Sequence, residues 1–459
     1  MRALLISTYE LGRQPYGLAS PAAWLRRAGW DVVCADVSRE RLQRTTVEAA
    51  DLVGFHLPMH TATRLAGPVI RKIVEINPSA RICAYGLYAP PNTAWLRSLG
   101  VDGVFGGEFE EELTAYASQP TAGPSRAEGA AGKVPRIHYL VPDRTGLLPP
   151  AQYATLQLGD GTRRIVGATE ASRGCKHLCR HCPVVPIYRG QFRVVPPEVV
   201  LADIDLQVKA GVEHITFGDP DFFNGPAHAM RVVEALHAAH PGVTYDVTIK
   251  VEHLLRHRDL LRRLAATGCA FVTSAVESVD DGVLRLLEKG HTRHDFVDAV
   301  AACRGAGLTF TPTFVAFHPW LTIDGYCELL DLIEQLDLVD HVAPIQLAIR
   351  LLVPEGSRLL DLDDMRARVG SFDAVTLAYP WVHADPRVDD LQREIARLAG
   401  VTSAADRRAT FDQIAAIAYA RAGRPPRVAS SRGQRSFVPQ LSEPWYCCAE
   451  PNPDHLSLV

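Results

Sequence analysis

Cys175, Cys179 and Cys182 lie in Arg173-Gly174-Cys175-Lys176-His177-Leu178-Cys179-Arg180-His181-Cys182-Pro183, a C-x3-C-x2-C run that follows a strand-like stretch. Three thiolates on one short loop can hold three irons of a [4Fe–4S] cluster and leave the fourth iron open to a ligand. Four cysteines would fill every position and leave electron transfer alone. Two other readings are open from the run itself. Positions i, i+4 and i+7 could be the buried stripe of a helix, although Arg173, Lys176, His177, Arg180 and His181 make a poor apolar face and Pro183 would stop the helix. Zinc could take the three cysteines together with His177 or His181.

The elements that must position this loop repeat. From 163 to 360 strand and helix patterns alternate six times, with strands expected at Ile165–Glu170, His214–Gly218, Thr244–Lys250, Ala270–Val276, Thr309–Phe317 and Ala343–Arg350. Helices are expected between them at Pro197–Ala210, Ala227–Ala239, Leu255–Ala266 and Phe296–Ala306. Repeated βα units place ligands at the carboxyl ends of the strands. Those ends carry Gly218-Asp219-Pro220-Asp221, Lys250-Val251-Glu252, Glu277-Ser278 and Arg350.

The cysteine spacing and the six βα units resemble the radical S-adenosylmethionine (SAM) enzymes, whose barrel is a partial (β/α)6 sheet. The resemblance implies a [4Fe–4S] cluster on Cys175, Cys179 and Cys182, with SAM chelated at the open iron and cleaved by one electron. It implies that Gly218, Asp219 and Asp221 meet the SAM amino group, mainly through backbone. It places Glu277 at the ribose hydroxyls and His181 near the adenine. A turn with capping carboxylates is the plainer reading of Asp219 and Asp221, and an ion pair with Lys250 is the plainer reading of Glu277. Arg350 could grip the SAM carboxylate by a two-pronged contact. The other cysteines (34, 83, 269, 303 and 327) read as small buried hydrophobes.

Residues 1–118 read as a doubly wound parallel sheet. Strands are expected at Leu4–Ser7, Asp31–Asp36, Leu52–His56, Arg81–Tyr85 and Gly103–Phe105, with helices such as Pro21–Ala28, Arg64–Ile76 and Thr93–Leu99 between them. Pro15-Tyr16-Gly17-Leu18-Ala19 and Gly106-Gly107-Glu108 resemble the cobalamin-binding domain that precedes many radical SAM barrels. Two departures speak against a bound corrinoid. No D-x-H-x-x-G motif offers a histidine to cobalt, and Ala84-Tyr85-Gly86-Leu87 puts bulk where a nucleotide tail would lie. Binding of cobalamin and retention of the sheet without it are both open. Residues 119–136 are rich in Ala, Gly, Pro and Ser and read as a flexible linker, and 137–162 as a connecting segment.

After 361 the barrel pattern stops. Leu391–Leu398 and Phe411–Ala422 read as helices, and the chain ends in Glu443-Pro444-Trp445-Tyr446-Cys447-Cys448-Ala449-Glu450-Pro451. An incidental mobile tail is one reading. The other is a resemblance to the radical SAM family named for its CUAEP or CCAEP tail, where selenocysteine can replace the residue at Cys448. That resemblance makes Cys447 and Cys448 candidate catalytic residues, as soft nucleophiles or soft-metal ligands. By analogy with a related carbon–arsenic bond-forming enzyme, arsenic or selenium is a candidate acceptor.

The composition excludes some classes. The 459 residues are 47% hydrophobic and 22% charged with a formal net charge of −4, which argues against a molecule-wide nucleic-acid surface. No apolar run approaches the roughly 18 residues that span a bilayer, so no membrane partner is expected. Ten cysteines in a chain this long do not form a disulfide framework, and a reducing cytoplasm is the expected compartment. The expected function is a SAM-cleaving transferase, forming a carbon–heteroatom bond or moving a 3-amino-3-carboxypropyl or other alkyl group. Its expected partners are a small-molecule or metalloid substrate and a flavodoxin or ferredoxin donor. A cobalamin-dependent methyltransferase and a non-catalytic iron–sulfur electron carrier are the alternatives.

Overall fold

The structure is a computed structural model and describes residues 1–119, 134–401, 407–425 and 438–443. Most of the linker expected at 119–136, and Cys447 and Cys448, lie outside the described residues.

The first sheet is built from β1 (Arg2–Ser7), β2 (Asp31–Asp36), β3 (Leu52–His56), β4 (Arg81–Tyr85) and β5 (Gly103–Phe105), all parallel in the order β2-β1-β3-β4-β5. Successive side chains of a strand point to opposite faces, so β1 feeds two cores. Leu4 and Ile6 join Val53, Phe55 and Ile82 under the helix His60–Ile76. Ala3 and Leu5 join Leu52, Cys83 and Phe105 under the helices Tyr16–Arg27 and Glu110–Ser118. Burial on both faces is why these strands read as short continuous apolar runs. The order reverses between β1 and β3, which opens the carboxyl ends of the strands toward the rest of the molecule.

The second sheet contains β6 (Thr155–Gln157) and β7 (Arg163–Thr169). A two-stranded antiparallel ribbon, β8 (Ser172–Gly174) and β9 (Phe192–Val194), then brackets the cysteine loop. The sheet continues with β10 (His214–Phe217), β11 (Thr244–Thr248), β12 (Cys269–Glu277), β13 (Thr309–Phe314) and β14 (Gln440–Leu441). Its order is β13-β12-β11-β10-β7-β6-β14, with β7 and β10–β13 parallel and β6 antiparallel to both neighbours. Helices Pro197–Lys209, Pro226–Ala239, Arg258–Ala266 and Arg293–Gly305 lie between the parallel strands in the chain.

The sixth strand expected at Ala343–Arg350 is instead a 3-10 turn, Pro344–Leu347, followed by one parallel bridge between Phe317 and Arg350. Pro344 brings no N–H to a ladder, and the Gln346 side chain accepts the Phe314 amide at 3.2 Å where a strand carbonyl would stand. The C-terminal helices Pro386–Val401 and Arg407–Arg421 do not form a core of their own. Leu391, Ile395, Phe411 and Ile414 are buried in the same core as Leu330, Ile333 and the barrel strands. Cys34, Cys83, Cys269, Cys303 and Cys327 are all buried in the two domains' cores, as expected of small hydrophobes.

Candidate active site

The ribbon of β8 and β9 carries the cysteine loop across the carboxyl ends of the parallel strands. Cys175 and Cys179 are buried and Cys182 half-buried, none in a disulfide. The loop is pinned at several points. Arg180 donates its amide to Leu287 O (3.0 Å) and its guanidinium to Leu286 O (2.8 Å), and Arg358 donates to Leu178 O (2.6 Å). Glu288 bridges both arginines, at 2.7 Å from Arg180 and 3.0 Å from Arg358. Asn224, just after β10, accepts the Lys176 amide (3.3 Å) and donates to Gly174 O (3.3 Å).

Burial pushes the Cys175 thiol up to about 11, with Asp221 adding to it, and the Cys182 thiol up to about 12, with Cys179 adding to it. Two thiols that resist ionisation, crowded with a third, fit a site where metal supplies the compensating positive charge. Two lysines supply part of it from the protein. Lys250 Nζ lies 3.8 Å from Cys179 Sγ, and the buried Lys289 ammonium is held charged against its own burial by Glu277, Cys179 and Cys182.

Glu277 ends β12 with φ 69°, a left-handed conformation rare for a side chain of this size, and the β12–β13 register shifts between Ala275 and Glu277. Its Oε1 lies 3.0 Å from His181 Nε2 and 3.3 Å from Lys289 Nζ. Burial would raise this carboxyl, but Lys289 and His181 outweigh it and hold it down at about 2. The ion-pair partner of Glu277 is therefore Lys289, not Lys250, which lies 3.9 Å from Glu252.

The turn after β10 divides its residues. Gly218 is exposed at the strand end. Asp219 is buried and accepts the Ala171 amide (2.9 Å) and the Ser172 hydroxyl (2.6 Å), tying β10 to the entry of the ribbon. Burial pushes its carboxyl up to about 7. Asp221 is also buried, 2.6 Å from His253 Nδ1. Both carboxylates thus serve the frame of the turn.

Arg350 is drawn to the C-terminal extension. It contacts Asp389 at 2.6 Å, donates to Trp381 O at 2.6 Å, and stacks 3.6 Å over the Trp381 ring. These partners engage both terminal nitrogens and hold the guanidinium against the C-terminal extension. The alternative of zinc on the cysteines with His177 or His181 is disfavoured. His181 is turned to Glu277, and His177 Nε2 faces His253 Nε2 at 3.3 Å.

The first sheet meets this site through buried charge. Arg173, beside the loop, contacts Glu110 (2.7 Å), Glu170 (2.7 Å) and Glu108 (3.4 Å). Glu108 also accepts from Tyr139 (2.7 Å) and Tyr188 (2.9 Å). Gly106-Gly107-Glu108 therefore anchors the two domains together. The ends of β3 and β4 are packed with rings. His56 stacks on Tyr85 with centroids 5.4 Å apart, and Tyr85 lies 4.7 Å from Phe109. A Cβ at Gly17 would fall 1.9 Å from the His56 ring. Gly86 turns the chain with φ +109°, and a Cβ there would be 2.8 Å from Leu57 O. Tyr85 is fully buried, and Leu87 packs beside Val134, Cys175 and Tyr188. These residues do not fit a nucleotide tail inserted beside β4.

Lys289 and the Arg173 network carried no sequence signal beyond the presence of charge in apolar surroundings. His253 stands 76 residues from His177 in the chain.

Residues 169–333 match the family described as the Radical SAM superfamily. The chain is 25% identical over 195 residues to tRNA-2-methylthio-N(6)-dimethylallyladenosine synthase of Desulfosudis oleivorans, covering 39% of this chain and 40% of that protein. It is 26% identical over 184 residues to bacteriochlorophyllide d C-8(2)-methyltransferase of Chlorobaculum tepidum, covering 38% and 39%. The chain thus spans about two fifths of the length of these curated relatives. In fold it is similar to the cobalamin-dependent SAM radical enzyme OxsB with aqua-cobalamin bound, with a TM-score of 0.66 at 14% identity over 86% of this chain and 66% of that one. It is also similar to the radical SAM methyltransferase TsrM from Kitasatospora setae, with a TM-score of 0.56 at 20% identity over 73% and 70%. Domains of this superfamily use a [4Fe–4S] cluster and SAM, and the three thiols of the loop fit that cluster. The cysteine loop, the Gly218–Asp221 turn and Glu277 all fall inside the matched segment, and the chain therefore carries a radical SAM domain over residues 169–333.

Proposed function

We propose that this protein is a SAM-cleaving transferase that forms a carbon–heteroatom bond or moves an alkyl group onto a small-molecule or metalloid acceptor. The observation that carries the reading is the convergence of Lys250, Glu277 and Lys289, from separate strand ends and loops, on one loop of three thiols. When bound to Cys175, Cys179 and Cys182, the cluster supplies one electron to the SAM sulfonium.

The chain's own residues have assigned parts in this reading. Lys250 and Lys289 offset the negative charge of the thiolates. Gly218, exposed at the end of β10, offers backbone to the SAM amino group, while Asp219 and Asp221 hold the turn in shape. His181 is placed toward the adenine. Both recorded contacts of Glu277 use Oε1, and Oε2 is assigned to the ribose hydroxyls. Cys447 and Cys448 are assigned to hold the acceptor, with arsenic or selenium as the soft atoms such thiols favour. A flavodoxin or ferredoxin is the proposed electron donor.

A cobalamin-dependent methyl transfer draws support from the fold of OxsB and TsrM alone, and the ring packing at Tyr85 speaks against it. A plain electron carrier would have no use for strand ends converging on an incompletely ligated metal.

Anaerobic reconstitution followed by electron paramagnetic resonance, with and without SAM, tests the proposal. A SAM-dependent change in the spectrum and SAM fragments by mass spectrometry are expected. Both should vanish, with circular dichroism unchanged, in the combined Cys175→Ala, Cys179→Ala, Cys182→Ala variant. A spectrum indifferent to SAM would leave the electron carrier.

A further inference from the structure

We propose that His177, Asp221 and His253 form a second, mononuclear metal site for Zn2+ or Fe2+, separate from the cysteine site and bracing the cysteine loop against the ends of β10 and β11. The three residues come from the cysteine loop, the turn after β10 and the helix Val251–Arg256. One ligand atom from each lies within 4.8 Å of the others.

The argument rests on how the two rings and the carboxylate face one another. His253 Nδ1 lies 2.6 Å from Asp221 Oδ2, and His177 Nδ1 lies 3.6 Å from Glu252 Oε2. The first of these is too bent for a hydrogen bond, so the carboxylate does not fix a proton on His253 Nδ1. The two Nε2 atoms face each other at 3.3 Å. Two lone pairs at that separation repel unless a proton or a cation stands between them. A tetrahedral ion with bonds of about 2.0–2.1 Å sets its ligands about 3.4 Å apart, which the two imidazoles match. Asp221 Oδ2, 3.7 Å from His177 Nε2, is slightly long as third ligand.

The cluster is enclosed. His253 and Asp221 are fully buried, and His177 is largely so. The Asp221–His253 contact is too bent for a hydrogen bond, so Asp221 Oδ2 and His253 Nδ1 are left without one. Orphaned buried polar atoms of this kind are costly unless a ligand satisfies them. Asp221 brings one negative charge, and the charge of Glu252 is shared with Arg256 and with Lys250, the latter 3.9 Å away. Two imidazoles with one carboxylate leave a position for water, a donor set that takes Zn2+ or Fe2+. The site asks nothing of SAM chemistry and stands whether or not the proposed function holds.

Zinc is the probe. The full-length, cluster-loaded protein is incubated anaerobically with Zn2+ and desalted, and zinc and iron are then counted per chain. X-ray absorption at the zinc edge reports the ligands. About one zinc with nitrogen and oxygen neighbours alone is expected. Zinc affinity should fall at least tenfold in both His253→Asn and Asp221→Asn. It should also fall in Glu252→Gln, since losing an outer carboxylate costs about 10–100-fold. Variants are compared only where circular dichroism matches the parent. Zinc below a tenth of an equivalent, sulfur neighbours around it, or loading unchanged in both variants would overturn the site.

Discussion

Glu277 Oε1 lies 3.0 Å from His181 Nε2 and thereby joins the end of β12 to the residue that precedes the last cysteine of the loop. The same oxygen is 3.3 Å from Lys289 Nζ. A carboxylate buried between Lys289 and His181 at a left-handed backbone position carries strain of about 1–3 kcal/mol, which these contacts offset. Strain of this kind is kept where a group must be aimed, and here it aims one carboxylate at the cysteine loop.

Removing one partner of this buried pair should cost more than removing both. Lys289→Met leaves Glu277 short of a cation, and Glu277→Gln leaves the Lys289 ammonium without its carboxylate. Each should destabilise by about 3–5 kcal/mol. The double variant should fall well short of the sum, because no uncompensated charge remains. Urea unfolding of the four proteins measures this, and strict additivity would mean that Glu277 and Lys289 do not act as a pair.

Asp219 gives a pH dependence with a defined sign. Its carboxyl is raised from 3.8 to about 7 by burial, so the folded state holds a proton that the unfolded chain releases. The stability this contributes is complete below about pH 4 and is lost as pH rises toward 7, by roughly 4 kcal/mol at about 1.36 kcal/mol per pH unit. Asp219→Asn does not titrate, but its amide group cannot accept from both Ala171 and Ser172. The variant should therefore be less stable than the parent at pH 4 and should close or reverse that gap by pH 8. A gap that stays constant across this range would show that Asp219 ionises normally.

The first sheet should not take up a corrinoid in stoichiometric amount, because Tyr85, His56 and Phe109 fill the ends of β3 and β4. Expression with hydroxocobalamin followed by visible absorption of the purified protein tests this. A full corrinoid spectrum would mean that these rings move aside, and would promote methyl transfer as the reaction.

For the tail, Cys447→Ser and Cys448→Ser should leave cluster loading and SAM cleavage largely intact while abolishing product formation. Serine keeps the size but stays protonated near neutral pH and binds soft metals poorly. Arsenite should also protect the two thiols from alkylation. Unchanged turnover in the double variant would remove the tail from the chemistry, and alkylation indifferent to arsenite would remove arsenic as an acceptor.

What the sequence determined by itself was local. The spacing of Cys175, Cys179 and Cys182 on one loop announces a three-thiolate metal site. The parallel strands announce themselves as short apolar runs, because each is buried on both faces, and β2 to β5 fall where the runs place them. Tyr85 could be read as bulk at a strand end, because its place in the chain fixes its place in the sheet.

Tertiary structure decided which charges meet. Arg350 sits at a strand-end position yet turns to Asp389 and Trp381, partners in an extension whose packing no local pattern encodes. The sixth strand gave way to a turn and a single bridge, because the side chain of Gln346 took up a backbone amide. Lys289 was chosen over Lys250 as the partner of Glu277, and His253 was brought to His177, by the curl of the sheet that draws separate strand ends to one loop. Periodicity records which face of an element is buried. It does not record which buried polar groups share that face, because that depends on contacts between segments far apart in the chain.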